Sequence, residues 1–142
     1  MKNIENLLIS ENITIREALN IIDKGAIRIA LVIDENNKLL GTLSDGDIRR
    51  GLLKNYTLDD SIKDLYFSNP TVAYSNETKE SIIQKAIKNQ VYQIPIVDEN
   101  NSLVDIVNLA TLLNVTKKRN RVILMAGGLG TRLRPLTEDT PK

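Results

Sequence analysis

Hydrophobic and polar positions along this chain predict a helix followed by a β-hairpin. Apolar residues recur at helical spacing within 14–22, and Thr14 followed by Glu17 predicts a capping box at the start of that helix. Two apolar runs of strand length follow, at 29–33 and 39–43. Four turn-forming residues separate the two runs, so they read as the strands of one hairpin. A further helix is predicted after the hairpin, over 47–53.

The same series of elements occurs a second time, and a short, nearly identical motif makes the repeat clear. The heptapeptide IDENNKL at 33–39 returns as VDENNSL at 97–103, sixty-four positions further on. That period is longer than those of helical solenoids, which favours two copies of one small unit. The second copy is predicted to contain a helix over 78–88, strands over 94–97 and 103–107, and a helix over 109–115.

The repeat divides the chain and defines its fold class. We expect an α/β chain of the α+β type, in which each unit runs β-α-β-β-α with a short leading strand. A connector that ends at Asn69-Pro70 separates the copies, since a helix would stop there. The predicted divisions are a first unit at 1–56, a connector at 57–70, a second unit at 71–116 and a different segment at 117–142.

Composition removes several classes of function. Nineteen Lys and Arg against eighteen Asp and Glu give a net charge of +1. This charge produces too weak an electrostatic field to hold nucleic acid or an anionic membrane. The absence of Cys and His removes disulfides, thiolate zinc sites and the commonest general base. No apolar run approaches the ~20 residues of a membrane span and no signal peptide is evident, so we expect a cytoplasmic protein.

The strongest candidate site in the first copy lies where its second strand meets its second helix. Ser44 and Asp47 stand three residues apart at this junction. A helix start offers free N–H groups and a positive dipole to a phosphate, and a nearby carboxylate can accept hydrogen bonds from ribose hydroxyls. The same spacing is also that of a capping box, in which the two side chains only cap the helix. The residue pattern leaves both interpretations open.

The doubled unit and the string GTLSDGDIRR at 41–50 together resemble the CBS domain family, whose pairs form Bateman modules. The resemblance covers about residues 4–115. It implies two units packed around a pseudo-twofold axis, with two clefts that bind adenine nucleotides (AMP, ADP or ATP) and regulate an attached protein, and it implies a homodimer. By the same resemblance Ser44 and Asp47 contact phosphate and ribose, and Arg28 faces phosphate. Arg28 could equally be a solvated charge at the end of a strand.

The second copy departs from the motif of that family. The replacements are Asn108 for Ser44, Thr111 for Asp47, Asp105 for Gly41 and Tyr92 for Arg28. The ribose carboxylate is therefore missing, although Asn108 could still cap its helix. We expect that at most one of the two clefts binds an ordinary nucleotide.

The final segment carries a different motif, RVILMAGGLGTRLRPLTEDTPK at 121–142. A buried strand followed by a glycine-rich turn can place N–H groups around a polyphosphate, although such a turn can also be purely structural. The string resembles the signature of sugar-phosphate nucleotidyltransferases. The resemblance implies an NTP phosphate loop formed by Gly127, Gly128, Gly130, Thr131, Arg132 and Lys142.

The nucleotidyltransferase resemblance covers only the opening of that enzyme. The family's Mg²⁺ carboxylates and its base and sugar pockets lie further along its domain, and this sequence ends at Lys142. We therefore expect no complete catalytic site and no metal site in this chain, with Mg²⁺ required only by a full-length parent enzyme. An active transferase would need a metal-binding acidic cluster after the loop.

Two hypotheses of different classes follow. In the first, the chain is an adenine-nucleotide-sensing module of an enzyme that converts an NTP and a sugar 1-phosphate into an NDP-sugar and diphosphate. In the second, it is a structural dimerisation platform without a ligand. The sequence leaves open which nucleotide regulates the enzyme, which sugar phosphate the enzyme uses, and whether the nucleotide activates or inhibits it.

Overall fold

The computed structural model describes residues 4–25 and 27–114, and it contains two units of the same construction. The first unit comprises a 3₁₀ helix (Ile4–Leu7), β1 (Leu8–Ile9), α1 (Ile15–Gly25), β2 (Ile29–Ile33), β3 (Leu39–Ser44) and α2 (Asp45–Leu53). The second comprises β4 (Ala73–Tyr74), α3 (Lys79–Asn89), β5 (Gln93–Val97), β6 (Leu103–Asn108) and α4 (Leu109–Leu113). The predicted α+β class and the order of elements are confirmed.

Each unit has one three-stranded sheet, and the two sheets share a topology. The strand orders are β1-β2-β3 and β4-β5-β6, with the first pair parallel and the second antiparallel in both sheets. Even the register irregularity recurs, between Val32 and Ile33 in one sheet and between Ile96 and Val97 in the other. The sequence repeat is therefore a repeat of structure.

Local side-chain chemistry begins the first helix as predicted. The Thr14 backbone N–H donates to the Glu17 carboxylate at 2.8 Å, and the Glu17 N–H donates to the Thr14 hydroxyl at 3.3 Å. This reciprocal pair satisfies two backbone donors that the first turn leaves without partners. Helix α1 then buries the face that carries Ile15, Ala18 and Ile22.

The connector between the units packs on the first one. Ile62 is fully buried in the core beneath α1 and α2, and Phe67 exchanges two backbone hydrogen bonds with Thr42 on β3, at 2.8 and 3.0 Å. A β-carbon on Gly41 would lie 2.4 Å from the Phe67 carbonyl oxygen, so only glycine permits this close approach. The equivalent residue in the second unit, Asp105, is exposed.

The hairpin turn of each unit is built by an aspartate and an asparagine. Asp34 Oδ1 accepts from the N–H groups of Asn36 and Lys38 at 2.8 and 2.9 Å, and Asp98 repeats this arrangement in the second turn. Asn37 and Asn101 both adopt a left-handed backbone, with φ of 61° and 63°. Asparagine tolerates that conformation better than most residues.

These two asparagines also join the units to each other. The Asn37 side-chain amide donates to the Leu103 carbonyl and the Asn101 amide to the Leu39 carbonyl, each at 3.0 Å. Backbone bonds run in the same reciprocal sense, from Leu39 N–H to the Asn101 carbonyl at 3.1 Å and from Leu103 N–H to the Asn37 carbonyl at 3.0 Å. We call these four bonds the asparagine clasp. A shared cluster of buried apolar side chains lies beside the clasp and contains Leu31, Leu39, Val97 and Leu103.

No described helix is long and apolar enough to cross a membrane. The predicted strand and phosphate loop at 117–142 lie outside the described residues, so their placement stays a prediction.

We predict that Asn101→Ala lowers the free energy of unfolding by about 1–3 kcal/mol, because it removes one clasp bond and places alanine in a left-handed conformation. Asn101→Gly keeps the backbone conformation available and should cost less. Urea denaturation measures both changes. Asn36→Ala is the matched control in the same kind of turn, and a loss there equal to that of Asn101→Ala would contradict the role of the clasp.

Candidate functional site

The main cleft of the described residues lies between the two units and has a volume of about 1220 Å³. That volume is sufficient for a nucleotide-sized molecule. One wall comes from β2 and β3 of the first unit, including Thr42 and Ser44, and the rest comes from the connector, α3 and β5. The cleft therefore depends on the packing of both units.

The structure places Ser44 in this cleft and pairs it with Asp47 in a capping box. The Ser44 N–H and hydroxyl donate to Asp47 Oδ2 at 2.8 and 2.6 Å, and the Asp47 N–H donates to Ser44 Oγ at 3.3 Å. Asp47 Oδ1 accepts from Arg50 Nη2 at 2.5 Å. The capping interpretation is thus correct, whereas the ligand contacts of Ser44 and Asp47 stay predictions.

Two lysines give the cleft a positive wall. Lys85 and Lys88 on α3 are the only charged side chains among the described residues that line it. Lys85 donates to Glu77 Oε1 at 2.6 Å and to the Val72 carbonyl at 3.0 Å, so its charge is largely compensated. Lys88 is exposed and forms no ion pair with a described residue. The uncompensated charge in the cleft is therefore positive.

Three aromatic side chains lie at the cleft while remaining open to solvent. Phe67, Tyr74 and Tyr92 are 56%, 48% and 71% exposed, respectively. Exposed aromatic faces in a cleft can stack on a planar ring such as a nucleobase. The sequence interpretation did not assign these residues or the two lysines to the site. The repeat offered one signal, because Tyr92 occupies the position of Arg28.

Arg28 is not among the residues that line the main cleft. It lines a separate pocket of about 460 Å³ together with Asp23 and Asp45, and its backbone is left-handed with φ of 59°. The structure therefore brings Ser44 and Asp47 together but does not bring Arg28 into the cleft that Ser44 lines. A phosphate-facing role for Arg28 stays a prediction.

The second copy of the motif caps its helix without a carboxylate. Asn108 Oδ1 accepts from the Ala110 N–H at 2.8 Å, as expected for an N-cap asparagine. Thr111, at the position of Asp47, is exposed. Within residues 4–25 and 27–114, no group of three or more His, Cys, Asp or Glu side chains could hold a metal ion.

Two α+β units of the same construction around a shared cleft define the chain as a tandem pair of small domains. The particular family follows from the sequence comparison. The chain belongs to the CBS domain family, whose model matches it twice, at residues 3–54 and 62–118. The resemblance drawn from the doubled motif is confirmed.

Individual relatives agree with this assignment. Arabinose 5-phosphate isomerase of Francisella tularensis is 29% identical over 71% of this chain and 31% of its own length. The CBS domain pair of protein MJ0100, solved with 5-methylthioadenosine and S-adenosyl-L-methionine, is 28% identical with a TM-score of 0.64, over 72% of this chain and 83% of that one. Protein PAE2072 of Pyrobaculum aerophilum, complexed with AMP, has a TM-score of 0.69 at 18% identity, over 81% of this chain and 92% of that one.

The chain spans about a third of the length of the curated relatives it matches. The family match ends at residue 118, so it does not bear on the glycine-rich segment.

The pair formed by Glu77 and Lys85 generates a prediction about acid stability. The hydrogen bond from Lys85, followed by that from the Tyr74 N–H, lowers the pKa of Glu77 below its ordinary value of 4.5. A lowered pKa means that the carboxylate stabilises the fold above pH 4.5 and that this contribution is lost as the pH falls through the folded-state pKa. We expect Glu77→Gln to be less stable than the wild type at pH 7 and the difference to shrink towards pH 3.

Urea midpoints of both proteins at pH 7, 5, 4 and 3 measure this effect. Because other carboxylates titrate in both proteins, the readout is the difference between them. Glu80→Gln, on the exposed first turn of the same helix, is the matched control. A difference that stays constant with pH would contradict the role of Glu77.

Proposed function

We propose that this chain is a regulatory CBS module that senses an adenine nucleotide in the cleft between its two units. The observation that carries the proposal is the composition of the cleft: a serine hydroxyl at a helix start, an uncompensated lysine and three exposed aromatic rings. A phosphate, a sugar diol and a planar base would each find a complementary partner there. In this proposal the module binds the nucleotide, and the protein that it regulates catalyses the reaction.

The relatives support an adenosine-bearing ligand. The MJ0100 pair, at 28% identity, was solved with two molecules of this class. The cleft described here has no acidic side chain among its described lining residues, and Lys88 lacks an ion-pair partner there. Such a cleft favours an anionic ligand over a cationic sulfonium. We therefore propose AMP, ADP or ATP rather than S-adenosylmethionine.

The proposed roles of the motif residues follow from their positions. The free N–H groups at the start of α2 would donate to a phosphate, and Ser44 would join them by turning its hydroxyl from Asp47 Oδ2 towards the ligand. Asp47 does not line the cleft itself, and its Oδ1 would accept from the ribose hydroxyls of a ligand that extends past Ser44. Arg28 would contact a phosphate only if the ligand extended into the separate pocket that Arg28 lines, or if a change in the chain brought that pocket to the ligand. The second copy lacks the carboxylate, so we propose one functional cleft.

We further propose that the regulated protein is a sugar-nucleotide-forming nucleotidyltransferase. The support is the string AGGLGTRLRPLT at 126–137 and the final Pro-Lys pair, which resemble the phosphate-loop signature of that family. Gly127, Gly128, Gly130, Thr131, Arg132 and Lys142 would then hold the NTP phosphates, and Mg²⁺ would bind elsewhere in the parent enzyme. Formation of diphosphate from an NTP and a sugar 1-phosphate, altered by AMP, would test this in the full-length protein.

A specific observation favours the alternative of a structural dimerisation platform. The capping box already occupies Ser44 and one oxygen of Asp47, and Arg50 occupies the other. A motif used only for capping would need no ligand. Calorimetric titration with AMP distinguishes the two, because a platform forms its homodimer, measured by sedimentation equilibrium, and binds no AMP.

Asp47→Ala is predicted to weaken AMP binding about tenfold or more, because a hydrogen bond to a charged group contributes ~1.5–3 kcal/mol. Isothermal titration calorimetry measures the affinity, and a thermal shift of the wild type with AMP first establishes binding. Thr111→Ala changes the equivalent position of the second copy and is the matched control. Asp47→Ala also removes part of a helix cap, so folding of that variant must be verified. Unchanged affinity in folded Asp47→Ala would contradict the ribose role.

Lys88→Gln is predicted to weaken AMP binding several-fold while leaving adenosine binding nearly unchanged, because only AMP carries a charge for the lysine to neutralise. The measurement is again calorimetric, at low ionic strength. Lys79→Gln removes a charge from the exposed start of the same helix, outside the cleft, and controls for the change in net charge. Equal losses for AMP and adenosine would show that Lys88 does not act on phosphate.

A further inference from the structure

Arg50 is folded back towards the start of its own helix. Its Nη2 donates to Asp47 Oδ1 at 2.5 Å. A β-carbon placed on Gly46 would lie 3.4 Å from Arg50 Nη1 and 3.5 Å from Ser44 Oγ. The guanidinium and the serine hydroxyl therefore lie on the same side of this helix start; Ser44 lines the cleft, whereas Asp47 and Arg50 are not among its lining residues.

The hydrogen bonds of Asp47 leave only one of its oxygens for any additional partner. Oδ2 accepts twice from Ser44, from the N–H and from the hydroxyl, and these bonds hold the helix cap. Oδ1 accepts only from Arg50 among the described residues. A ligand hydroxyl that binds Asp47 without breaking the cap must use Oδ1, the oxygen that Arg50 covers.

We propose that Arg50 competes with the ligand for Asp47 and thereby lowers the affinity of the cleft for ribose-bearing ligands. The proposal rests on the proposed function, in which Asp47 binds the ribose. Arg50 is then a specificity-determining residue, because only a ligand that carries a sugar diol has to share Oδ1 with it or displace it. A ligand without the diol binds beside an undisturbed pair.

The surroundings of Arg50 make displacement feasible. Its side chain is 67% exposed, so no packing holds it in place, whereas the Asp47 side chain is only 15% exposed. An exposed ion pair of this kind contributes little to stability. The positive end of the helix dipole also opposes a cation at this position, so the carboxylate alone retains it.

The test compares adenosine with 2′,3′-dideoxyadenosine on the wild type and on Arg50→Met. Methionine keeps the length of the side chain but removes the charge and the donors. Both ligands are uncharged, which removes any general effect of the lost positive charge. Isothermal titration calorimetry should show that Arg50→Met binds adenosine about two- to fivefold more tightly than the wild type, in line with the modest free energy of an exposed ion pair. The affinity for dideoxyadenosine should not change.

Arg49→Met is the matched control, since Arg49 is the exposed neighbour without an ion pair to Asp47. Unchanged or weaker adenosine binding in Arg50→Met overturns the proposal, as does an equal gain for dideoxyadenosine. Binding of AMP by the wild type is measured alongside and separates the two levels of inference. If AMP binds and Arg50→Met has no effect on adenosine, only the competition is wrong. If neither protein binds AMP or adenosine, the proposed function and the competition both fail.

Discussion

The asparagine clasp is the constraint on which the arrangement of the two units depends. Asn37 and Asn101 each adopt a left-handed backbone conformation that turns their own hairpin. The side-chain amide of each residue donates a hydrogen bond to the opposite hairpin. Because the bonds are reciprocal, they fix the two sheets relative to each other. The cleft lies between β3 of one unit and α3 of the other, so the clasp and the shared apolar cluster beside it both contribute to the position of its walls.

This arrangement allows the copies to diverge in chemistry while their construction stays the same. The turns that form the clasp are nearly identical in sequence, whereas the positions at the helix starts have changed from Ser44 and Asp47 to Asn108 and Thr111. Ser44 and Asn108 each cap a helix, since serine and asparagine are equivalent as N-caps. Only the first set adds a carboxylate. The CBS pair is thus symmetric in fold and asymmetric in the chemistry at its two helix starts.

The sequence predicted features that depend on residues near one another in the chain. The Thr14–Glu17 box, the hairpins and their turns are local, and the repeat allowed each to be recognised twice. The cleft could not be derived in this way, because Ser44, Phe67 and Lys88 come from three separate segments that meet only after the units pack. Arg28 illustrates the same limit: its sequence position suggested the cleft, but its left-handed backbone accompanies placement in a separate pocket beside Asp23 and Asp45.

Capping and ligand binding, which the sequence presented as alternatives for this motif, are compatible at Asp47, whereas the Ser44 hydroxyl can donate either to Asp47 or to a ligand. A carboxylate has two oxygens, and the cap uses Oδ2 alone. The cap orients the side chain, so Oδ1 is held in one position before any ligand arrives, and preorganisation of this kind reduces the entropic cost of binding. Whether the motif is structural or functional therefore depends on what Oδ1 binds. In this structure that partner is Arg50, which makes the arginine, rather than the cap, the feature that separates the two interpretations.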